Sequence, residues 1–355
     1  MYTAVPCSGE RVGIIMLTKA NLYASWRTIK FMAASFFVLA LLSIGAAHLA
    51  APRANQASTD GSLGFTMPLL HLNIDSFKKS ETDVARAIKL GVRGLSLMSH
   101  DGVAAQRKVG DAIKRAVATG RHKREDFFVS VTCFCGLDVE AMIDTTGLDY
   151  VDVAVMHSPC PVNTAQPALG KPAAPGGFPG NPPNLEFASY SDATPEGSLK
   201  EWAKYEALYV AGKAKRLGVS RFDDQSLKAL IASAKVPPMI NEREFNVLLH
   251  DLPGVKSNAD MGVQFFAYSP FGLYHNYQEQ LLNSPALLKV TAAHPGFTKY
   301  QVAVRWLVQH GVPTTVWSSD LSDGGHLAQM IDMTTTKLVL SDAEMSLLDA
   351  STFHL

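Results

Sequence analysis

The sequence predicts an α/β protein that forms a closed (β/α)8 barrel, or TIM barrel, preceded by an N-terminal hydrophobic segment. From Met67 onward, short runs rich in β-branched and aromatic residues alternate with segments whose apolar residues recur every three or four positions. This alternation is typical of parallel strands joined by crossover helices. Eight such runs are present, which is the number of strands in this barrel. They lie at 69–74, 94–98, 127–133, 150–156, 213–219, 238–241, 263–268 and 314–317.

Helical patterns occupy the stretches between these runs. Ser198 or Thr194, the stretch 220–223 and Thr298 carry side-chain oxygens that would cap three of the helices at their first turn. The final helix is expected near the end of the chain, after the last strand. The predicted helices lie at 81–90, 108–118, 199–211, 224–234, 299–310 and 342–350.

The first 60 residues differ in kind from the rest. Residues 31–51, FMAASFFVLALLSIGAAHLAA, carry no formal charge, and at about 1.5 Å per residue a helix of this length spans a bilayer core of about 30 Å. We therefore expect two parts, an N-terminal extension over 1–60 and a barrel over 61–355. The 355-residue chain has room for both, because such barrels take about 250 residues.

The charges around the hydrophobic segment predict its orientation. Basic residues precede it at four positions, whereas Arg53 is the one nearby basic residue after it. This bias predicts a single-pass signal anchor with a cytosolic N-terminus, so the barrel would be membrane-anchored or in the secretory pathway. The alternatives are a signal peptide cleaved near 45–47, an organellar transit sequence, since Glu10 is the sole acid before Asp60, or an N-terminus not translated or processed as written.

The composition excludes some classes of partner. The chain has 32 basic and 32 acidic residues and no basic stripe, so a nucleic-acid partner is not expected. Its four cysteines, Cys7, Cys133, Cys135 and Cys160, form neither a C-x-x-C pair nor the spacing of a zinc site or a secreted disulfide framework. We interpret them as small buried hydrophobic residues, and we expect no bound metal.

A long loop is predicted after the fourth strand. Residues 158–195 include GKPAAPGGFPGNPPN, which is too rich in proline and glycine for a helix or a central strand. The loop would lie at the C-terminal face of the barrel, where this architecture builds its sites. It is either a substrate lid or an insertion without a role.

Six segments in series are similar to those of aldo-keto reductases. The resemblance implies a TIM barrel, a nicotinamide cofactor, NADP or NAD, and a small-molecule carbonyl substrate. The segments are MPLLHLNI at 67–74, KREDFFVS at 123–130, DYVDVAVMHSP at 149–159, KAKRLGVSRF at 213–222, AYSPFG at 267–272 and LSDAEMSLLDA at 340–350.

In that family a tyrosine protonates the developing alkoxide, a lysine paired with an aspartate makes the phenol more acidic, and a histidine orients the carbonyl. The histidine maps to His157. Ser96 stands at the aspartate position, Thr132 at the lysine position, and Asp101, with His100 beside it, at the tyrosine position. The substitutions predict a weak or inactive reductase, a pseudoenzyme with a binding or scaffold role. The alternative is an active aldehyde or ketone reductase in which His157 acts with Asp101 or His100 as the acid.

The cofactor positions are partly retained. The resemblance implies that Ser220 holds the nicotinamide amide, although Arg221 replaces the adjacent asparagine and Glu242 replaces a glutamine. Tyr268, followed by Ser269, matches the tyrosine on which the nicotinamide stacks.

The phosphate positions are less well retained. A lysine and a serine are expected after the eighth strand, and this chain has Ser318 and Ser319 there. An arginine at the start of the next helix is also missing, and Gly324, Gly325 and His326 stand before that helix. Backbone N–H groups of this turn could cradle an anion, or the turn could be merely flexible. Cofactor binding is therefore expected to be weakened, with Ser220, Tyr268, Ser269 and Ser319 as the candidate contacts.

Overall fold

The structure is a computed structural model that describes residues 59–74, 80–99, 102–162, 193–272, 277–335 and 337–352, without the side chains of 102–105. His100, Asp101, Cys7, the hydrophobic segment 31–51 and most of the predicted loop lie outside these ranges, so the expectations placed on them stay predictions. The predicted domain boundary after residue 60 also stays a prediction. Within the described ranges, no helix is both long enough and apolar enough to cross a membrane.

Eight parallel strands close into a barrel, with each strand paired to the next and the last paired to the first. This confirms the predicted (β/α)8 fold, and every predicted strand is present. The largest shift is at the fifth strand, which begins four residues later than predicted because Ala214 forms only an isolated bridge with Val151. The strands are β1 (Leu70–Asn73), β2 (Gly94–Met98), β3 (Phe128–Cys133), β4 (Val153–Met156), β5 (Leu217–Ser220), β6 (Ile240–Glu244), β7 (Gln264–Tyr268) and β8 (Thr314–Val316).

Helices follow the strands and confirm the six that the sequence predicted. The starts predicted at 224 and 299 hold, because Asp223 and Thr298 each accept a hydrogen bond from a first-turn backbone N–H. The helix predicted to start at 199 begins four residues earlier, because its cap is Thr194 and not Ser198. The helices are α1 (Glu81–Leu90), α2 (Gly102–Ala118), α3 (Val139–Thr146), α4 (Pro195–Val210), α5 (Asp224–Ser233), α6 (Leu252–Asp260), α7 (Gln278–Leu282), α8 (Pro285–Ala293), α9 (Lys299–Gln309), α10 (His326–Asp332) and α11 (Asp342–Asp349).

Five of these helices, α3, α6, α7, α8 and α10, were given no range from the sequence, although a helix was expected at the position of α10. Each has nine residues or fewer, which leaves too few turns for a clear apolar period. In α6 and α8 a proline occupies the first turn, where its fixed φ and missing N–H are tolerated. These two prolines therefore lie at helix starts.

The barrel interior is closed at its N-terminal end by a small apolar cluster. Side chains of alternating strand positions form it, together with Phe65 and Met67 from the segment before β1. A larger cluster lies between the strands and the surrounding helices. The members of the interior cluster are Phe65, Met67, Phe128, Val153, Val155, Ile240 and Phe266.

His71 is buried against this interior cluster. Its ring makes edge contacts with Phe128 and Phe266, at centroid distances of 5.4 and 4.9 Å. Burial lowers the pKa of His71 to about 3, so the imidazole is neutral near pH 7. His71 pairs with Gly94 across β1 and β2, and a Cβ at position 94 would collide with the imidazole ring. The histidine fits because its neighbour has no side chain.

Replacing Gly94 by alanine should therefore destabilise the fold by about 2 kcal/mol or more, because the added methyl group overpacks a closed interior. The free energy of unfolding, measured by urea denaturation, checks this. In a His71→Ala background the same Gly94→Ala change should cost much less, because the colliding ring is gone. An equal cost in the two backgrounds would show that the ring is not what position 94 must accommodate.

Candidate active site

The predicted site residues lie at the C-terminal ends of the strands, on one face of the barrel. His157 follows β4, Ser220 ends β5, Tyr268 ends β7, and Ser269 follows it. Because all eight strands are parallel, these positions share the face on which barrels of this type build their sites. The structure therefore brings these four of the sequence-predicted residues to one mouth.

His157 is buried beneath this mouth. Its side chain is 3% exposed, and its ring contacts the edge of the Phe134 ring at a centroid distance of 4.2 Å. Its backbone N–H donates to the Cys133 carbonyl at 3.0 Å, which ties the end of β4 to the end of β3. The histidine is thus held by both strands, in a position from which it could contact a small molecule in the mouth.

Ser96, at the predicted aspartate position, belongs to a chain of neutral groups. The Ser130 hydroxyl donates to the Ser96 hydroxyl at 3.0 Å, and the Ser96 hydroxyl lies 3.4 Å from Nδ1 of His71. All three side chains are buried. The position at which the resemblance implies a carboxylate therefore carries a hydroxyl, which needs no counter-charge.

Thr132, at the predicted lysine position, contacts Glu242 across the barrel interior. The Thr132 hydroxyl donates to the Glu242 carboxylate, at 3.3 Å from Oε2 and 3.5 Å from Oε1. Strands β3 and β6 are separated by β4 and β5 in the sheet, so this contact bridges the lumen. Side chains alternate between the two faces of a strand, and Phe128 and Ile240 belong to the interior cluster. Thr132 lies four residues after Phe128, and Glu242 lies two residues after Ile240, so both also point into the interior. The space expected to hold an ammonium group therefore holds a hydroxyl and a carboxyl group.

Burial raises the pKa of the Glu242 carboxyl group to about 7. The Thr132 hydrogen bond and the Arg221 charge act in the opposite direction and are outweighed. The Ser220 hydroxyl also donates to the Glu242 main-chain carbonyl, at 3.3 Å. The centre of the mouth thus carries a group that changes its charge near neutral pH.

Arg221 engages the aromatic side chain that a nicotinamide would stack on. Its Nε donates to the Tyr268 hydroxyl at 3.0 Å, and its guanidinium carbon lies 5.4 Å from the centroid of the Tyr268 ring, within cation–π range. Arg221 and Ser269 have positive φ angles, 64° and 55°, and are the only non-glycine residues of the described ranges that do. Strained backbone of this kind clusters at functional sites, and here it places both residues around Tyr268.

The turn after β8 is occupied by a carboxylate of the chain itself. Asp320 accepts hydrogen bonds from the Ser322 N–H (3.1 Å), the Ser322 hydroxyl (2.6 Å) and the His326 N–H at the start of α10 (3.2 Å). The Ser322 and His326 hydrogen bonds lower the pKa of Asp320 to about 2, so it stays ionised. Gly325 packs so closely on this carboxylate that a Cβ there would collide with it. Ser319, the predicted contact, is exposed.

The residues of this turn do not fit a phosphate group of nicotinamide adenine dinucleotide phosphate. The backbone N–H of His326, which was expected to be available to a phosphate, already binds Asp320, and the two expected cationic side chains are absent. A fixed negative charge at this turn repels the ligand that the turn was expected to hold. Tyr268 and Ser220 retain the nicotinamide end of the family pattern, with Arg221 set against Tyr268.

Comparison with known proteins places the chain. Residues 79–352 match the model of the Aldo/keto reductase family. This chain belongs to the aldo-keto reductase family.

Two similar proteins are a plant and a yeast reductase. This chain is 29% identical over 282 residues to the (1S)-1,7-diacetoxy-luvungin A aldo-keto reductase of Citrus sinensis, covering 76% of this chain and 81% of that one. It is 30% identical over 250 residues to the NAD(P)H-dependent D-xylose reductase of Candida tenuis, covering 64% and 73%. A Bombyx mori aldo-keto reductase solved in complex with NADP shares the fold, with a TM-score of 0.63, 21% identity, and coverage of 83% and 92%.

The interpretation of the cysteines was wrong for two of them. Cys135 and Cys160 form a disulfide, with their Cα atoms 5.8 Å apart. Parallel pairing of β3 with β4 brings together the segments that follow each strand, although 25 positions separate the two cysteines in sequence. Cys133 fits the prediction, since it is fully buried and burial raises the pKa of its thiol to about 12.

Sequence reasoning also missed the partners of Glu242 and Asp320. Glu242 was noted only as a substitution, and Asp320 was not singled out. The alternation of interior positions along β3 and β6 was a usable signal for the Thr132–Glu242 contact. The D-x-S pattern of residues 320–322, which is typical of side-chain caps on turns, was the signal for Asp320.

Glu242 should make the stability of this aldo-keto reductase depend on pH. Its pKa is about 7 in the fold against an ordinary 4.5, so the folded chain holds a proton that the unfolded chain releases between these values. Stability is therefore highest below about pH 4.5 with respect to this group and falls as pH rises toward 7, by about 2 to 3 kcal/mol.

Glu242→Gln should remove this fall, and urea denaturation at pH 5 and pH 8 measures it. The control is Glu125→Gln, which removes one negative charge from an exposed position and should leave the fall in place. If Glu242→Gln has the same pH dependence as the unsubstituted chain, the carboxyl group does not titrate as described.

Proposed function

We propose that this chain is an aldo-keto reductase barrel without hydride transfer, a pseudoenzyme that binds a small polar molecule at its mouth. The Thr132–Glu242 contact carries the proposal. Reduction of a carbonyl leaves an alkoxide that must be protonated, and the family does this with a phenol made acidic by a neighbouring ammonium group. A carboxylate in that space has the opposite effect, since its negative charge disfavours a second developing negative charge.

The cofactor positions support the same conclusion. The carboxylate of Asp320 occupies the turn at which a phosphate would bind, and the Arg221 guanidinium lies against Tyr268. The relative from Candida tenuis is named as NAD(P)H-dependent, and for this chain the use of NADP or NAD is a weaker proposal that rests on Ser220, Tyr268 and Ser269.

The mouth is suited to a small molecule with carbonyl or hydroxyl groups. Thr132, Ser220 and His157 are donors or acceptors with buried side chains, and Glu242 can donate when protonated and accept when ionised. A carbonyl compound would find hydrogen-bond donors at the position where the family polarises its substrate. Binding would then not require turnover.

A second candidate function is an active carbonyl reductase with an unusual acid. The near-neutral pKa of Glu242 favours it, because a proton donor works best when its pKa lies near the working pH. Glu242 joins Asp101 and His100 as the possible donor, with His157 orienting the carbonyl. This candidate needs the cofactor to bind despite Asp320 and Arg221.

We also propose that residues 31–51 tether the barrel to a membrane or direct its export. The support is the uncharged length of the segment and the excess of basic residues before it. Determining the mature N-terminus separates the two: an intact N-terminus in the membrane fraction supports an anchor, and a chain starting after residue 47 supports a cleaved signal peptide.

The full chain should not oxidise NADPH in the presence of a panel of aldehydes and ketones. The consumption of NADPH, followed by its absorbance, should equal the rate without protein, and the D-xylose reductase named above serves as the positive control for the assay. Carbonyl-dependent oxidation by this chain would contradict the proposal. If Glu242→Gln then lowered kcat by about 100-fold or more, the second candidate would hold.

Compounds that bind the mouth should raise the Tm of the full chain, and Glu242→Gln should weaken the effect because it removes a hydrogen-bonding group that can be charged or neutral. A thermal-shift screen of small carbonyl and hydroxyl compounds at pH 6 and pH 8 measures this. Glu125→Gln is the matched control and should keep every shift. Equal shifts in all three proteins would place the binding site outside the mouth.

A further inference from the structure

The Cys135–Cys160 disulfide joins two loops of the mouth. Cys135 stands two residues after the end of β3, and Cys160 stands four residues after the end of β4. Cys160 is fully buried, whereas Cys135 is partly exposed. The bridge therefore has one face that a second molecule can reach.

Cys160 also binds the start of α4, which lies beyond the long segment that follows it. Its backbone N–H donates to the Ser198 hydroxyl at 3.0 Å, and its carbonyl accepts from the Thr194 N–H at 3.1 Å. Gly197 packs against the Cys160 carbonyl so closely that a Cβ there would collide with it. The disulfide thus links the β3 loop, the β4 loop and α4 into one unit.

The same bridge packs around the residues next to His157. The Cys135 sulfur lies 3.5 Å from the Ser158 carbonyl oxygen and 3.6 Å from the Ser158 hydroxyl, and the Cys160 sulfur lies 3.4 Å from the same carbonyl. Phe134, adjacent to Cys135, carries the ring that contacts the His157 imidazole. The bridge therefore holds Phe134, which contacts the His157 ring, and Ser158, which follows His157 in the chain.

We infer that Cys135 and Cys160 form a thiol-exchange site that fixes His157 at the mouth, and that the barrel acquires this bridge in an oxidising compartment. Disulfides persist in such compartments and are rare in the cytosol. The hydrophobic segment 31–51 independently predicts that the barrel leaves the cytosol. The inference does not depend on whether the barrel reduces carbonyls.

The exposures give the order of the exchange. In oxidation, the Cys135 thiolate attacks the disulfide of a protein or small-molecule partner and releases one partner thiol. The Cys160 thiolate then attacks the Cys135 sulfur, the bridge forms, and the second partner thiol leaves, so two thiols are oxidised and one partner disulfide is reduced. Reduction reverses these steps and begins at Cys135, the sulfur that solvent reaches.

Cys133 is a built-in control because it stays outside this chemistry. Its side chain is buried in the large apolar cluster, and burial raises the pKa of its thiol to about 12, which leaves almost no thiolate to react. A chain with three nearby cysteines would otherwise be open to mispairing.

The first test determines the state of these cysteines in cells. Cells producing the full chain are treated with N-ethylmaleimide before lysis, and the denatured protein is mapped by mass spectrometry without a reductant. A Cys135–Cys160 linked peptide is expected, with Cys133 as an unlinked thiol that N-ethylmaleimide reaches only after denaturation. Alkylation of both Cys135 and Cys160 in the trapped sample would overturn the inference, even if the purified protein oxidises later in air.

The second test asks whether the bridge positions His157 or only stabilises the fold. Reduction should lower the Tm by about 5 to 10 °C, since the bridge closes a loop of 25 residues. Reduction should also move the His157 imidazole proton resonance, which is assigned by its loss in His157→Gln. Cys133→Ala should show both responses, and the Cys135→Ser/Cys160→Ser variant should show neither. A lowered Tm with an unmoved His157 resonance would overturn the positioning role. If the double variant does not fold, reduction of the unsubstituted chain gives the same decision.

Discussion

The hydrogen bond between Thr132 and Glu242 depends on the most basic constraint of this fold, the closure of eight strands around a small interior. Every second residue of every strand points into that interior, where side chains from different strands must share a limited volume. His71 fits because Gly94 has no side chain, and Ser96 and Ser130 fit beside it as small hydrogen-bonded groups. Above them, a threonine leaves room for a glutamate to cross the lumen. The interior is thus filled layer by layer with neutral groups, up to the Glu242 carboxyl group, whose charge changes near neutral pH.

The substitutions in this aldo-keto reductase are consistent with one another in charge. A lysine opposite Glu242 would form an ion pair in the mouth, and Thr132 avoids it. A lysine and an arginine after β8 would hold a phosphate, and Asp320 instead holds the donors of its own turn. At positions where the resemblance implies positive charge, this chain has the carboxyl groups of Glu242 and Asp320.

Features governed by local sequence could be predicted, whereas contacts between distant segments could not. Strand β2 and helix α1 lie where their periodicity placed them, and Thr298 caps α9 as its hydroxyl and position indicated. The disulfide was missed because its cysteines become neighbours only when β3 and β4 pair, and their spacing in sequence carries no trace of that.

The functional positions show the same division. His157 and Tyr268 reach the mouth as expected, because the end of a strand is a local property in a parallel barrel. The hydrogen bond from Arg221 to Tyr268 depends on a positive φ at residue 221. A positive φ is uncommon for a residue other than glycine, so the sequence did not predict it. The burial of the Glu242 carboxyl group depends on all the strands at once. Single residues could be placed, but their electrostatic environment could not.

The most direct test of this account is the affinity of the full chain for NADPH, measured by quenching and shift of NADPH fluorescence. No saturable change is expected for the unsubstituted chain, because Asp320 binds the His326 N–H at the proposed phosphate turn and Arg221 lies against Tyr268 at the proposed nicotinamide position. Replacing both, as Asp320→Ser with Arg221→Asn, should bring a measurable response. Saturable binding of NADPH to the unsubstituted chain would contradict the proposal that contacts within this barrel take the place of contacts with a cofactor.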